Sequence, residues 1–185
     1  MEAWHTAARA LALDDRDPYA HYASSWACLS ALQHGQALAE AQRSIDLNPN
    51  FALGFFALGL VRVHIGHFTE AIDPLLRSLR LNPNDAQASS FTNFVTLAHY
   101  HQENYEEAFH YAQRAVRPPR AYFAVRTLCA VLGQLDRASE AAPLIEELER
   151  RKPEQPERYF ELTTPYEDRR HRDHLMDGLR KAGAL

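Results

Sequence analysis

Apolar residues recur along this chain at three- and four-residue spacing, the period of an amphipathic helix, in short segments broken by turn formers. Ala37, Ala41 and Ile45 mark one such stripe. The pattern then returns at a fixed interval. Ala37, Ala71, Ala108 and Ala141 stand in matching settings, separated by 34, 37 and 33 residues, and Pro49, Pro83 and Pro153 follow at a constant distance. A period near 34 predicts stacked pairs of antiparallel helices, because one pair cannot bury its apolar face without a neighbour.

The clearest unit covers residues 52–85, where Phe55, Leu58, Gly59, Ala71, Leu75 and Pro83 take the pattern's bulky, small and turn positions. Arg62 departs from it, standing where an aromatic is expected. The preceding unit, 18–51, keeps Ala37, Ala41 and Pro49 but carries His21, Ser24, Ser25 and Cys28 in its first helix. The third, 86–121, aligns Val95, His99, Ala108 and Ala112. Its spacing of 37 leaves three extra residues between Pro83 and Phe91, roughly one helical turn, and predicts a longer first helix. The fourth, 122–155, carries Val125, Leu128, Cys129, Leu132, Ala141, Ile145 and Pro153. Small residues such as Gly59 and Ala71 let the first helix of a unit (A) approach the second (B). The prolines, with Asn48, Asn50, Asn82 and Asn84 beside them, end each B helix in a turn.

On these residues the segment 18–155 resembles tetratricopeptide repeats. The resemblance implies an all-α, right-handed superhelix of antiparallel helix pairs, with residues 1–185 as a single domain. Residues 2–13 resemble the B helix of an earlier unit, with Ala3, Ala7 and Leu11 in the places of Ala37, Ala41 and Ile45. A chain starting in mid-repeat is expected to be a piece of a longer polypeptide. Past residue 155 the period stops, and residues 156–185 are expected to cap the stack. Leu175, Leu179 and Ala182 share a helical face, with Glu167 and Asp168 before it and Arg180 and Lys181 at its end. That charge order suits the helix dipole and predicts a helix over 168–182, packed on the fourth repeat or its neighbour. Residues 174–183 also resemble the closing segment of bacterial proteins in which such repeats follow a class III adenylate/guanylate cyclase domain or another signalling domain. Cyclase chemistry would then lie outside this chain.

Composition narrows the function further. With 20 Lys and Arg against 24 Asp and Glu the net charge is −4, which gives no electrostatic reason to bind nucleic acid. No apolar stretch is long enough to cross a bilayer. Cys28 and Cys129 fall in different units and read as small core residues, in keeping with a reducing cytoplasm. Ten histidines raise the question of a metal. The pairs His171 and His174, His64 and His67, and His99 and His101 lack the further ligands that a zinc site needs, so no metal or cofactor is expected. Neither a nucleophile with its base nor a phosphate-binding loop is present, so no enzymatic activity is expected.

The resemblance places the A helices on the concave face, where members of the family commonly bind peptides through fixed positions. Carried over, these are Tyr19, Tyr22 and Trp26 from the first full unit and Phe56, Leu60 and His64 from the second. The third contributes Asn93, Leu97 and His101, and the fourth Arg126. The set is aromatic and aliphatic, and Asn93 and Arg126 alone resemble the groups of a peptide-carboxylate clamp, so a chaperone-type clamp is not expected. Tyr22, Trp26, Phe56 and Leu60 are expected to form one contiguous patch. Two functions compete. One is a protein-interaction scaffold that takes a peptide or partner helix in this groove. The other is a structural, regulatory or self-associating module whose groove is covered by its own C-terminal helix, a second copy or another domain.

Overall fold

A computed structural model describes residues 9, 11–116, 121–151 and 165–185, and among these there is no β-strand. Eight of the described helices form four hairpins. They are α1 (Pro18–Ser30) with α2 (His34–Leu47), α3 (Ala52–His64) with α4 (Phe68–Leu81), α5 (Ala88–His101) with α6 (Tyr105–Ala115), and α7 (Tyr122–Gln134) with α8 (Ala138–Arg150). A further helix, α9 (Arg169–Lys181), follows near the C-terminus. The half-unit read over 2–13 lies mostly outside the described residues, as does Pro153; residues 11–13 are helical.

The repeat is written into the turns as well as the helices. Each hairpin turns through one residue in the left-handed conformation: Leu32 (φ 58°), Gly66 (86°), Glu103 (61°) and Asp136 (55°). The next residue closes the turn by donating its N–H to a carbonyl five positions back. These bonds run from Gln33 to Cys28 at 2.9 Å, His67 to Arg62 at 2.8 Å, Asn104 to His99 at 3.0 Å and Arg137 to Leu132 at 2.9 Å. The repeated alanines follow at the closest crossing of A and B, and Ala37, Ala71, Ala108 and Ala141 have no exposed surface. At Gly59 a methyl group would strike the Leu75 side chain and lie 3.1 Å from the Ala71 carbonyl oxygen, so the crossing of α3 and α4 requires glycine.

Two local departures have physical reasons. In the third unit two of the three extra residues enter the preceding turn and one lengthens the helix. α5 has 14 residues where α3 has 13. Asn82 Nδ2 donates to Asp85 Oδ2 at 2.8 Å, and Asp85 Oδ1 accepts from the Gln87 amide at 2.7 Å, which delays helix entry. Arg62, the outlier of the second unit, has a partner of its own. Pro74 sits inside α4 without an N–H and leaves the Glu70 carbonyl without its helical donor. The Arg62 guanidinium supplies one, at 2.8 Å.

Each A helix packs on both helices of the hairpin before it, more extensively on the B helix (α3 on α2, α5 on α4, α7 on α6) than on the A helix (α3 on α1, α5 on α3, α7 on α5), and no two B helices pack comparably. The A helices therefore line the inner side of the stack. Between them the core is aromatic, with Phe56 stacked on Phe91 at 4.1 Å between centroids. Cys28 and Cys129 are both buried thiols, and burial pushes the Cys129 thiol up to about 12.

The C-terminal helix forms over Arg169–Lys181, capped by Asp168, which accepts from the Arg170 amide at 2.9 Å. It covers the last hairpin from the A-helix side, packing on α7. Leu175, Leu179 and Ala182 are buried as the helical spacing predicts. Two glycines set the crossing. A methyl group on Gly133 would strike the Gly178 carbonyl oxygen, and one on Gly178 would lie 2.6 Å from the Ala130 carbonyl oxygen.

Candidate functional site

The inner, A-helix face falls into three zones. At the α1 end it is aromatic and partly open. Tyr19 is 56% exposed and Trp26 36%, while Tyr22 is half-buried. Tyr22 lies 5.6 Å from Tyr19 and 6.3 Å from Phe51 between ring centroids, and Trp26 lies 6.0 Å from Phe56. Phe51, at the mouth of α3, completes this cluster; the residue before a helix carries no groove position in the aligned pattern, so the sequence offered no sign of it.

The middle zone is closed by the stack itself. Phe56, Leu60 and Leu97 are buried between neighbouring A helices, so they support the face without presenting side chains to a partner. Asn93 is buried too, and its Oδ1 has no hydrogen-bond partner among the described residues.

The third zone, over α3, α5 and α7, is covered by the chain's own residues 165–181. Pro165 and Tyr166 are not helical. The segment starts at His34, whose Nε2 lies 2.9 Å from the Pro165 carbonyl oxygen, and the Glu167 amide donates to the His64 carbonyl at 2.8 Å. Between these bonds Tyr166 is inserted and buried. Its ring lies 5.2 Å from both His64 and His101, and its hydroxyl is 2.8 Å from His101 Nε2. Arg126 is the nearby cation, and its charge opposes the effect of burial, which raises the Tyr166 hydroxyl far above the ordinary range. Thus His64, His101 and Arg126, three of the residues expected from the groove pattern, converge on one side chain of the same chain.

A hydrogen-bonded relay continues from there. His101 Nδ1 faces His174 Nδ1 at 3.3 Å, and His174 Nε2 lies 2.9 Å from the Tyr105 hydroxyl. The Tyr100 hydroxyl donates to the His174 carbonyl at 2.8 Å. His171 meets Phe68 edge-on at 4.8 Å and sits against Gly66, where a methyl group would lie 2.7 Å from its Cε1. With one proton on each ring, every contact in the relay has a donor and an acceptor. Burial holds His64 down at about 4 and His101 well below its ordinary range, and it lowers His171 and His174 as well.

Sequence reasoning named the stack's half of this arrangement and missed Tyr166, His171 and His174. It weighed the histidines only as metal ligands, one pair at a time, and expected none to hold a metal. The available signal was their phase: His64 and His101 occupy equivalent places in successive units, and the surplus histidines of the C-terminal segment are their partners. Among the described residues no group of three or more His, Cys, Asp or Glu is placed to hold a metal ion, and no helix is long and apolar enough to cross a membrane.

No protein-family model matches the chain, and no curated protein does. Solved structures do. One is YrrB, described as a TPR protein with an unusual peptide-binding site, at 19% identity and TM-score 0.61 over 95% of this chain and 90% of that one. A second is a tetratricopeptide repeat protein from Parabacteroides merdae, at 13% identity and TM-score 0.66 over 96% and 77%. A third is PilF of Pseudomonas aeruginosa, at 19% identity and TM-score 0.66 over 89% and 77%. The fold is therefore that of the tetratricopeptide repeat superhelix.

Proposed function

We propose that the chain is a non-catalytic scaffold that holds a protein or peptide segment on its A-helix face. One observation carries the reading: the open aromatic cluster of Tyr19, Tyr22, Phe51 and Trp26 lies on the same A-helix face whose far end is covered by residues 165–181, so an open and a filled stretch share one face on either side of its closed middle. Rigid aromatic side chains of this kind contribute disproportionately to interfaces. YrrB, a structure of the same fold, is described as having a peptide-binding site, which agrees with this use of the face.

Displayed peptide libraries selected on the full chain test the proposal. Enriched peptides should lose affinity by about thirtyfold on Trp26→Ala, the equivalent of about 2 kcal/mol, with the melting temperature little changed. Enriched peptides that ignore Trp26 and Tyr19, or a Trp26→Ala chain that simply unfolds, would return the cluster to the core.

A second reading is favoured by residues 165–181, which cover the far end of the face: the module regulates itself through its own chain. The two readings meet if the covering segment and a partner compete. The resemblance of residues 174–183 to the closing segment of cyclase-linked proteins supports placing this scaffold in a larger cytoplasmic signalling protein of bacterial type. The same residues also have a local role, packing α9 on α7 through Leu175, Gly178 and Leu179.

A further inference from the structure

We infer that the cleft around Tyr166 is a binding slot for a partner's tyrosine-bearing segment, and that residues 165–185 are its intramolecular occupant, displaced when such a partner competes. The inference rests on the scaffold reading and names the ligand class and regulation of the covered half of the face.

The ligand class is read from the occupant. Recognition is of two kinds. Backbone contacts at His34 and His64 hold a non-helical stretch on either side of the tyrosine. They fix a segment without specifying its side chains. Side-chain recognition is then concentrated on one residue. Tyr166 is buried, ringed by the imidazoles of His64, His101 and His171, and met at its hydroxyl by His101 Nε2 at 2.8 Å. A phenylalanine would fill the ring's space and leave that nitrogen unmatched, which favours tyrosine. The flanking residues on the occupant are Pro165 on one side and Glu167 and Asp168 on the other. The partner segment that fits is therefore an open stretch with a central tyrosine.

The seat is made to be left as well as filled. Its anchors are neutral imidazoles, whose fit depends on each carrying a single proton. One added proton on the His101–His174 pair can be shared, but a second sets two N–H groups against each other at 3.3 Å. The charged and titratable groups facing these rings come from several elements. Glu103 and Asp177 face His174, with Lys181 opposing them; Asp168 and Arg170 face His171; His34 faces His64; Arg126 and Tyr100 face Tyr166. The carboxylates do not offset burial, because each of the four imidazoles at the seat stays below its ordinary range. Mild acid therefore weakens the resident segment and any tyrosine ligand that replaces it.

The probe is a labelled peptide with the sequence of residues 163–182, titrated by fluorescence anisotropy into the full chain and into its Tyr166→Ala variant. The slot predicts at least about tenfold tighter binding to the variant, whose resident tyrosine is gone, and at least about tenfold weaker binding when the peptide's own tyrosine is replaced by alanine. Binding near pH 5.5 should be several-fold weaker than near pH 7.5. Equal affinity for both chains, or indifference to the peptide's tyrosine, overturns the inference. If Tyr166→Ala loses its helical spectrum, the wild-type chain decides: excess peptide must accelerate hydrogen exchange at the Glu167 amide, and unchanged exchange overturns the inference. A peptide-free dimer that exchanges residues 165–185 between copies also overturns it, because a second copy is then the occupant. Failure of the slot with Trp26-dependent binding retained removes the slot and leaves the scaffold reading standing.

Discussion

Leu32 and Gly66 occupy the same position in successive turns and should respond to substitution with opposite sign. Leu32 is 62% exposed and sits at φ 58°, a conformation that costs an L-residue about 1 kcal/mol. Replacing it with glycine removes that cost and adds backbone entropy to the unfolded chain, so Leu32→Gly should be neutral or stabilise by about 0.5 kcal/mol. Gly66→Ala introduces the strain and a methyl group 2.7 Å from His171 Cε1. It should cost about 1–2 kcal/mol. Chemical denaturation of both variants checks the pair; a destabilised Leu32→Gly beside an unaffected Gly66→Ala would refute it. At this scale the sequence was partly legible. The alanines of the A–B crossings stood out by their spacing, because only small residues serve there. The left-handed positions did not, because leucine, glycine, glutamate and aspartate share no side-chain chemistry and are united only by backbone geometry.

Arg62 shows how an irregular residue can belong to an element's design. It looked like a defect in the second unit's pattern, yet it donates to the carbonyl that Pro74 strands inside α4. The two residues should therefore be coupled. Arg62→Ala should cost about 1 kcal/mol in the wild-type chain and distinctly less in a Pro74→Ala background, where the alanine backbone supplies the missing N–H. Additive costs in the double-mutant cycle would show that the bond contributes nothing. The order and pairing of α1 to α8 were legible from periodicity alone, since each hairpin repeats the same local physics. The entry of α5 was not, because the turn at Asn82 and Asp85 absorbs residues that spacing alone assigns to a helix. The candidate face divides the same way. Its A-helix positions follow from the repeat, while its occupant comes from the aperiodic C-terminus, where no repeat constrains the reading. Tyr166 could be placed only once the fold brought it to His101, 65 residues away.

Across the whole molecule the buried histidines should dictate how stability changes with acid. His64, His101, His171 and His174 all sit below their ordinary range in the folded chain, with burial as the largest cause. Unfolding returns them to about 6.5. Between that value and the folded one, the unfolded chain binds more protons than the folded chain, so stability is full above about pH 6.5 and falls as the pH drops below it. For His64 the window runs from 6.5 to about 4, which corresponds to about 3 kcal/mol if the whole difference is expressed. The lowered carboxylates act in the same direction but further down: Asp168 is held at about 2 by Arg170, and Asp177 is lowered by Lys181, so neither contributes appreciably above about pH 4. Over the interval from about pH 6.5 to 4.5 the lowered histidines dominate, His99 on α5 being a fifth one outside the seat, and Glu140, lowered by Arg137, adds only at the acid end. Thermal melts across this interval should show the melting temperature falling steadily in the wild-type chain. They should show a shallower fall in His64→Phe, which keeps a ring against Tyr166 and Phe94 while removing one titrating group. The loss should also be uneven in space. α9 and residues 165–168 carry two of the four rings and meet the other two, so their amides should gain exchange before those of the α1–α2 hairpin, which contributes none of the four. A melting temperature that stays constant over the interval, or exchange that rises first in α1 and α2, would show that the histidine seat does not control the acid stability of this fold.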